Sequence, residues 1–236
     1  MVWKITYQIE RYRPGQPPRT DTFQVEIEPD EYILDGVERI WFEQDRDLIF
    51  RHACHHASCG SCAFVCNGVE VLPCIVRIDA VTHDGGTLHL EPLYGFNVIG
   101  DLVVDMDEFF ERMQTAAMPI VGPADPLAAG DTSDYNRFED CIECGMCVSA
   151  CPVMAANSGY VGPAALAAVE RVRQTTGQLD DEQRALADGR NGLWRCHASF
   201  ECSAVCPSNV DPARKIMALR KHLTMQRLGA LIGQQR

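Results

Sequence analysis

From the N-terminus, apolar and polar positions alternate. Trp3, Ile5, Tyr7 and Ile9 fall on one side of an extended segment, Pro14-Gly15 interrupts it, and Phe23, Val25 and Ile27 resume the period of two. Two such runs across a Pro-Gly turn predict a β-hairpin over 1–30, each strand burying one face. The period then lengthens. Ile33, Val37, Ile40 and Trp41 share a helical face, with Asp30 placed as its N-cap. A loop over about 51–66 follows, then strand-like pieces near 69–80 and 87–93. Strand patterns are scarce in the second half. Ala, Leu, Arg and Glu dominate 163–189 and 211–233, which read as helices, and another helix starts at Asp107. The Pro-, Gly- and Asp-rich run 119–135 reads as a surface loop. The expected organisation is α+β: a domain over 1–105 with a small sheet and one helix, then an all-helical domain over 106–236.

Composition narrows the classes. Of 236 residues, 46% are hydrophobic and 23% charged, which fits a globular chain. The formal net charge of −12 weighs against nucleic acid as a partner, since phosphate binding needs clustered positive charge. The N-terminus alternates like a strand and lacks the apolar stretch of a secretory signal. No uncharged apolar run reaches the roughly 18 residues of a membrane span. A cytoplasmic protein is expected, touching a membrane only through a partner or a surface patch.

The twelve cysteines change the picture most. Without a signal peptide, clustered cysteines point to metal binding more than to a disulfide scaffold. Cys54, Cys59, Cys62 and Cys74 follow C-x4-C-x2-C with a distant fourth, the plant-type [2Fe–2S] spacing. Gly60 and the small Ser58 and Ser61 let backbone N–H groups approach the sulfurs, which tunes the potential. Zinc is the competing ligand, although structural zinc usually takes well-separated C-x2–4-C pairs. His55 and His56 are read as loop residues, because four cysteines already stand at the plant-type positions. Cys66 lies outside the pattern and reads as a free thiol.

Cys141, Cys144, Cys147 and Cys151, followed by Pro152, form the bacterial ferredoxin run C-x2-C-x2-C-x3-C-P. In two-cluster ferredoxins the fourth cysteine of that run ligates the other cluster. Cys196, Cys202 and Cys206 with Pro207 repeat the motif with Ser199 where a cysteine is missing. Three thiolates suit a [3Fe–4S] cluster. Cross-ligation then assigns Cys141, Cys144, Cys147 and Cys206 to a [4Fe–4S] cluster and Cys151, Cys196 and Cys202 to a [3Fe–4S] cluster. Ligation of a fourth iron by Ser199 is the alternative.

Together with FRHACHHASCGSC, DLVVDMDEFF, YVGPAAL and GLWRCHASFECSAVCPSNVDP, these motifs closely resemble the iron–sulfur subunit of succinate:quinone oxidoreductases, the succinate dehydrogenases and fumarate reductases. The resemblance covers nearly the whole chain. It implies a β-grasp plant-type ferredoxin domain followed by a helical bacterial-ferredoxin-like domain. It also implies an FAD-containing flavoprotein partner that carries out the carboxylate chemistry, a membrane anchor subunit, and a place on the cytoplasmic face of the cell membrane. Electrons would pass from FAD through [2Fe–2S], [4Fe–4S] and [3Fe–4S] to a quinone, within the tricarboxylic acid cycle and respiratory chain. No catalytic residue is expected in this chain. Pro152, His197 and Ser199 are the quinone-edge candidates. His197 matches a histidine beside the quinone in the ubiquinone branch. That branch also has a tryptophan after the second CP, where this chain has Ala156, so menaquinone is slightly favoured. Quinol:fumarate reductase, a heterodisulfide-reductase-like subunit and a soluble multi-cluster ferredoxin are the competing functions. Trp194 reads as packing that shields a cluster. The acid-free C-terminal stretch from Pro212 reads either as a lipid- or anchor-docking face or as an ordinary amphipathic helix.

Overall fold

A computed structural model describes residues 1–116 and 141–233. They fall into two compact units. The first comprises Met1–Met106 together with Ile142–Ala150, and the second comprises the remaining described residues. The surface loop expected over 119–135 lies outside the described residues.

In the first unit the predicted hairpin forms β1 (Trp3–Arg11) and β2 (Arg19–Ile27), paired antiparallel from Trp3 opposite Ile27 to Arg11 opposite Arg19. Helix α1 (Ile33–Arg39) runs into a π-helical turn at Ile40–Gln44. Strands β3 (Phe64–Cys66), β4 (Val69–Val71) and β5 (Thr87–Glu91) complete a mixed five-stranded sheet in the order β2-β1-β5-β3-β4, with β1 and β5 parallel. This is the expected β-grasp. Ile33, Val37 and Ile40 of the helical segment pack with Ile5, Tyr7, Ile9, Phe64, Leu88 and Leu90 of the sheet. Burying each such aliphatic side chain contributes about 1.5–3 kcal/mol. Trp41, expected on the same face, stays partly exposed. A two-stranded ribbon, β6 (Val98–Gly100) and β7 (Val103–Val104), follows.

Two further details differ from the sequence reading. The strand expected over 69–80 ends at Val71. Beyond it, the carbonyls of Pro73 and Val76 accept from the N–H groups of Leu34 and Ile33, both at 3.0 Å. The segment thereby satisfies donors that a helix start leaves unpaired, and Asp30 is not the cap. The cap position is Tyr32, whose N–H donates to the Asp35 carboxylate at 2.9 Å.

The second unit is helical. It contains α2 (Asp107–Thr115), α4 (Pro152–Ala156), α5 (Pro163–Thr176), α6 (Asp181–Asp188), α7 (Glu201–Ala204) and α8 (Pro212–Gly233), whereas the short α3 (Met146–Ser149) belongs to the first unit. Helix α5 is buried from Pro163 to Val172 and packs chiefly on α8, whose Ile216, Leu219 and Leu223 are buried. A helix apolar on most sides belongs at the centre of a bundle. The single helix expected over 163–189 is two. Gly177 sits at φ +79°, a left-handed terminator. Asp180 then opens α6 by accepting from the Gln183 N–H at 2.8 Å, while the Gln183 side chain accepts back from the Asp180 N–H. Among the described residues, no helix is long and apolar enough to cross a membrane.

Candidate metal centres

Between the π-helical turn and β3 the chain runs as an irregular loop carrying Cys54, Cys59 and Cys62. The Cys54 sulfur accepts from the backbone N–H groups of His56 (3.5 Å), Ser58 (3.2 Å) and Cys59 (3.3 Å). These bonds, that of His56 foremost, outweigh burial and bring the Cys54 thiol down to about 7. Cys54 and Cys59 interact through their side chains, and so do Cys62 and the buried Cys74 from the turn after β4. Burial pushes the Cys62 thiol up to about 12, with Cys74 and Cys59 nearby adding to it. The four plant-type cysteines thus gather as two neighbouring pairs. Cys66 does not join them. It packs in the sheet core, and burial lifts its thiol to about 12. The His55 ring turns away toward His52 and Glu38, and the His56 Nδ1 bonds the Cys54 carbonyl.

The first unit also holds Cys144 and Cys147. Gly60, at φ +68°, lies against their segment, and a methyl group there would meet the Ile142 carbonyl oxygen at 2.7 Å and the Cys144 Cβ at 2.8 Å. The Ser149 hydroxyl anchors α3 by donating to the buried Glu70 carboxylate at 2.7 Å and accepting from the Tyr94 N–H at 2.9 Å. Cys141 and Cys206 belong to the second unit, where the Val210 N–H donates to the Cys206 sulfur at 3.4 Å.

Cys151, Cys196 and Cys202 converge within the second unit, each close enough to interact electrostatically with the others. Burial, foremost, raises the Cys151 thiol, and it takes Cys202 to about 12. The fully buried Tyr160 stands over the group. Its hydroxyl interacts with Cys196 and feels Cys151 and Cys202. Burial, then these thiols, drive the Tyr160 hydroxyl well above its ordinary range, so it stays a donor. The Ala198 N–H donates to the Cys196 sulfur at 3.4 Å. Arg220 on α8 donates to the carbonyls of Cys196 (2.7 Å) and Leu193 (2.6 Å), placing a fixed cation beside the group. Neither role is legible in the linear sequence. Tyr160 lies within the YVGPAAL segment without a ligand spacing to mark it, and Arg220 reads as one more basic residue on a helix.

Pro152, His197 and Ser199 are all exposed, and the first two directly follow Cys151 and Cys196 in the chain. Pro152 opens α4 at the first helical position, where its missing N–H costs nothing. Trp194 is partly exposed; its indole N–H donates to Asp188 at 2.6 Å, and the Arg227 guanidinium lies 4.7 Å from its ring. Several cations of α8 are engaged within the unit. Arg214 pairs with Asp211, Arg227 with Asp188, and Lys215 bonds Gln174.

Soft thiolate donors in groups of three and four, with backbone N–H groups directed at sulfur and no disulfide joining them, form the donor set that iron–sulfur clusters take. Comparison with known proteins agrees. A 2Fe-2S iron-sulfur cluster binding domain matches residues 6–111, and a 4Fe-4S dicluster domain matches residues 137–210. The chain is therefore an iron–sulfur protein of two ferredoxin-type domains. It is 31% identical to the fumarate reductase iron-sulfur subunit of Haemophilus influenzae, over 90% of both chains. It is 29% identical to the mitochondrial succinate dehydrogenase [ubiquinone] iron-sulfur subunit of Candida glabrata, over 92% of this chain and 90% of that one. A chain of the Mycobacterium smegmatis Sdh1 complex in the apo form shares the fold, with a TM-score of 0.83 at 23% identity, covering 97% of this chain and 98% of that one. The chain belongs to the family of iron–sulfur subunits of succinate dehydrogenases and fumarate reductases, and is an electron-transfer subunit of a complex of that type.

Proposed function

We propose that this chain conducts electrons between an FAD-containing flavoprotein and a membrane quinone, as the iron–sulfur subunit of a succinate dehydrogenase with three clusters. Cys54, Cys59, Cys62 and Cys74 would hold [2Fe–2S]; Cys141, Cys144, Cys147 and Cys206 would hold [4Fe–4S]; Cys151, Cys196 and Cys202 would hold [3Fe–4S]. The observation that carries the three-iron reading is the convergence of Cys151, Cys196 and Cys202, while Ser199 replaces the cysteine of the bacterial motif. The chain's own residues contribute conduction geometry and potential. Backbone N–H groups, the Tyr160 hydroxyl and the Arg220 cation lie where they favour added negative charge. Pro152, His197 and Ser199 form the proposed quinone edge, with menaquinone slightly favoured. An anchor subunit would hold the complex on the cytoplasmic face of the membrane.

Low-temperature EPR of the purified, air-oxidised complex through a redox titration tests this reading. Oxidised [3Fe–4S] is paramagnetic, whereas oxidised [2Fe–2S] and [4Fe–4S] are silent. A signal in the oxidised sample is expected. Its absence, with a second reduced [4Fe–4S] species, overturns the three-iron assignment. The reverse direction, quinol:fumarate reductase, is favoured by the names of relatives such as that of Haemophilus influenzae. Steady-state rates of succinate oxidation and fumarate reduction with matched quinones separate the two.

A further inference from the structure

A second group of metal-ligating side chains stands apart from the cysteines. The His52 Nδ1 and His55 Nε2 atoms lie 2.9 Å from each other. Both face Oε1 of Glu38, at 3.1 Å and 3.2 Å. The three atoms form a nearly equilateral triangle. An ion bonded at about 2.0–2.1 Å to all three corners would sit roughly 1 Å above its plane, the facial geometry of a three-ligand site with open positions. Glu38 comes from α1 and both histidines from the cysteine loop, so the group clasps the loop to the helix.

The surroundings favour a cation. Oε1 of Glu38 is shut off from solvent and accepts no well-formed hydrogen bond among the described residues. The two ring nitrogens lie within hydrogen-bond distance of each other, with donor and acceptor set by the tautomer. A divalent ion satisfies all three lone pairs at once. The His52 ring is held by stacking on Phe50, with centroids 5.2 Å apart and planes 17° from parallel. The adjoining groove carries Glu31, Asp35 and Glu43; Arg39 pairs with Glu31, and the Arg46 guanidinium lies over the Trp41 and Phe42 rings that line it.

The geometry points to Glu38, His52 and His55 as a binding site for a divalent zinc-class ion, separate from the iron–sulfur ligands. Two imidazoles and one carboxylate are the donor set of open zinc sites. An ion there would cross-link α1 to the loop that carries Cys54 and Cys59.

The test uses the purified, cluster-loaded protein dialysed against ZnCl2 and then freed of unbound metal, with zinc and iron counted together. The expected result is close to one zinc per chain at unchanged iron, and at least tenfold weaker zinc binding in Glu38→Gln. Glu38 adjoins no cysteine in the sequence, so this variant leaves the iron ligands intact. Zinc K-edge absorption of the wild-type protein should show only nitrogen and oxygen neighbours at about 2.0–2.1 Å, whereas sulfur at about 2.3 Å would mean zinc has entered a cysteine site. Sulfur neighbours, zinc gained only as iron is lost, no retained zinc, or unchanged affinity in Glu38→Gln would each overturn the inference.

Discussion

Replacing Tyr160 with phenylalanine removes one hydroxyl and little else. The ring is 1% exposed. The backbone at this point is held independently, because Arg112 donates to the Tyr160 carbonyl at 2.7 Å and to that of Ser158 at 2.9 Å. What disappears is the hydroxyl's interaction with Cys196 in the group Cys151–Cys196–Cys202. A hydrogen bond to a charged acceptor is worth about 1.5–3 kcal/mol. Only the part that strengthens on reduction moves the potential. One added electron spread over a cluster and its thiolates leaves about 1 kcal/mol of that as the difference between redox states. For a one-electron couple, 59 mV corresponds to about 1.4 kcal/mol, so Tyr160→Phe should lower the midpoint of the cluster proposed at this site by about 40 mV. The assay is an EPR-monitored redox titration of wild-type and variant complexes, with iron content measured on both. The midpoints of the other two proposed clusters should hold. An unchanged or raised midpoint at full iron content would refute the reasoning, since a donor aimed at sulfur must favour the reduced state.

Three further outcomes are expected. Gly60→Ala puts a methyl group 2.7 Å from a backbone oxygen at a positive φ, so it should cost about 2 kcal/mol or more and shift the urea midpoint downward; a neutral substitution would show that the 142–144 segment yields freely. Asp101 is fully buried, accepts from the Tyr12 and Ile49 N–H groups at 3.0 and 2.8 Å and pairs with Arg11 and Arg13; Asp101→Asn should cost about 3 kcal/mol in chemical denaturation, the lower end for a broken buried pair because Arg11 keeps Asp21 and Asp45. Hydrogen bonds from Arg19, helped by Arg11, hold the Asp21 carboxyl below the usual carboxylate range; a depressed folded value stabilises above the unfolded value of about 3.9 and loses that contribution as pH falls through the folded one, so acid unfolding below about pH 4 should be shallower in Asp21→Asn, and an identical pH profile would remove this contribution.

The family was legible before any fold was known, because cysteine spacing is a local property. The loop proposed to wrap one cluster places Cys54, Cys59 and Cys62 within nine positions, and the C-P run at 141–152 takes twelve. The hairpin and the long C-terminal helix were legible for the same reason, since alternation and helical period record which face of a local element is buried. Errors arose where a neighbour distant in sequence decided the outcome. The expected strand over 69–80 gave way because α1 needed acceptors at its first turn, and Pro73 and Val76 supply them. The expected helix over 163–189 is a different case, broken by local signals: the Gly177 terminator and the Asp180 capping box outweigh continuous helical composition.

The sequence by itself therefore determined the kind of protein, its two-part α+β plan and the cysteine positions. Only the tertiary structure decided what surrounds those cysteines. The parallel pairing of Thr6 with Thr87, the Tyr160 hydroxyl at Cys196, Arg220 beside that same residue, and Glu38 opposite His52 and His55 all join positions far apart in the chain. Periodicity carries no distance information across such separations. Which side chains meet is set by how the sheet closes and how the helices pack, where burial of apolar surface is roughly proportional to area and blind to which polar groups it brings together.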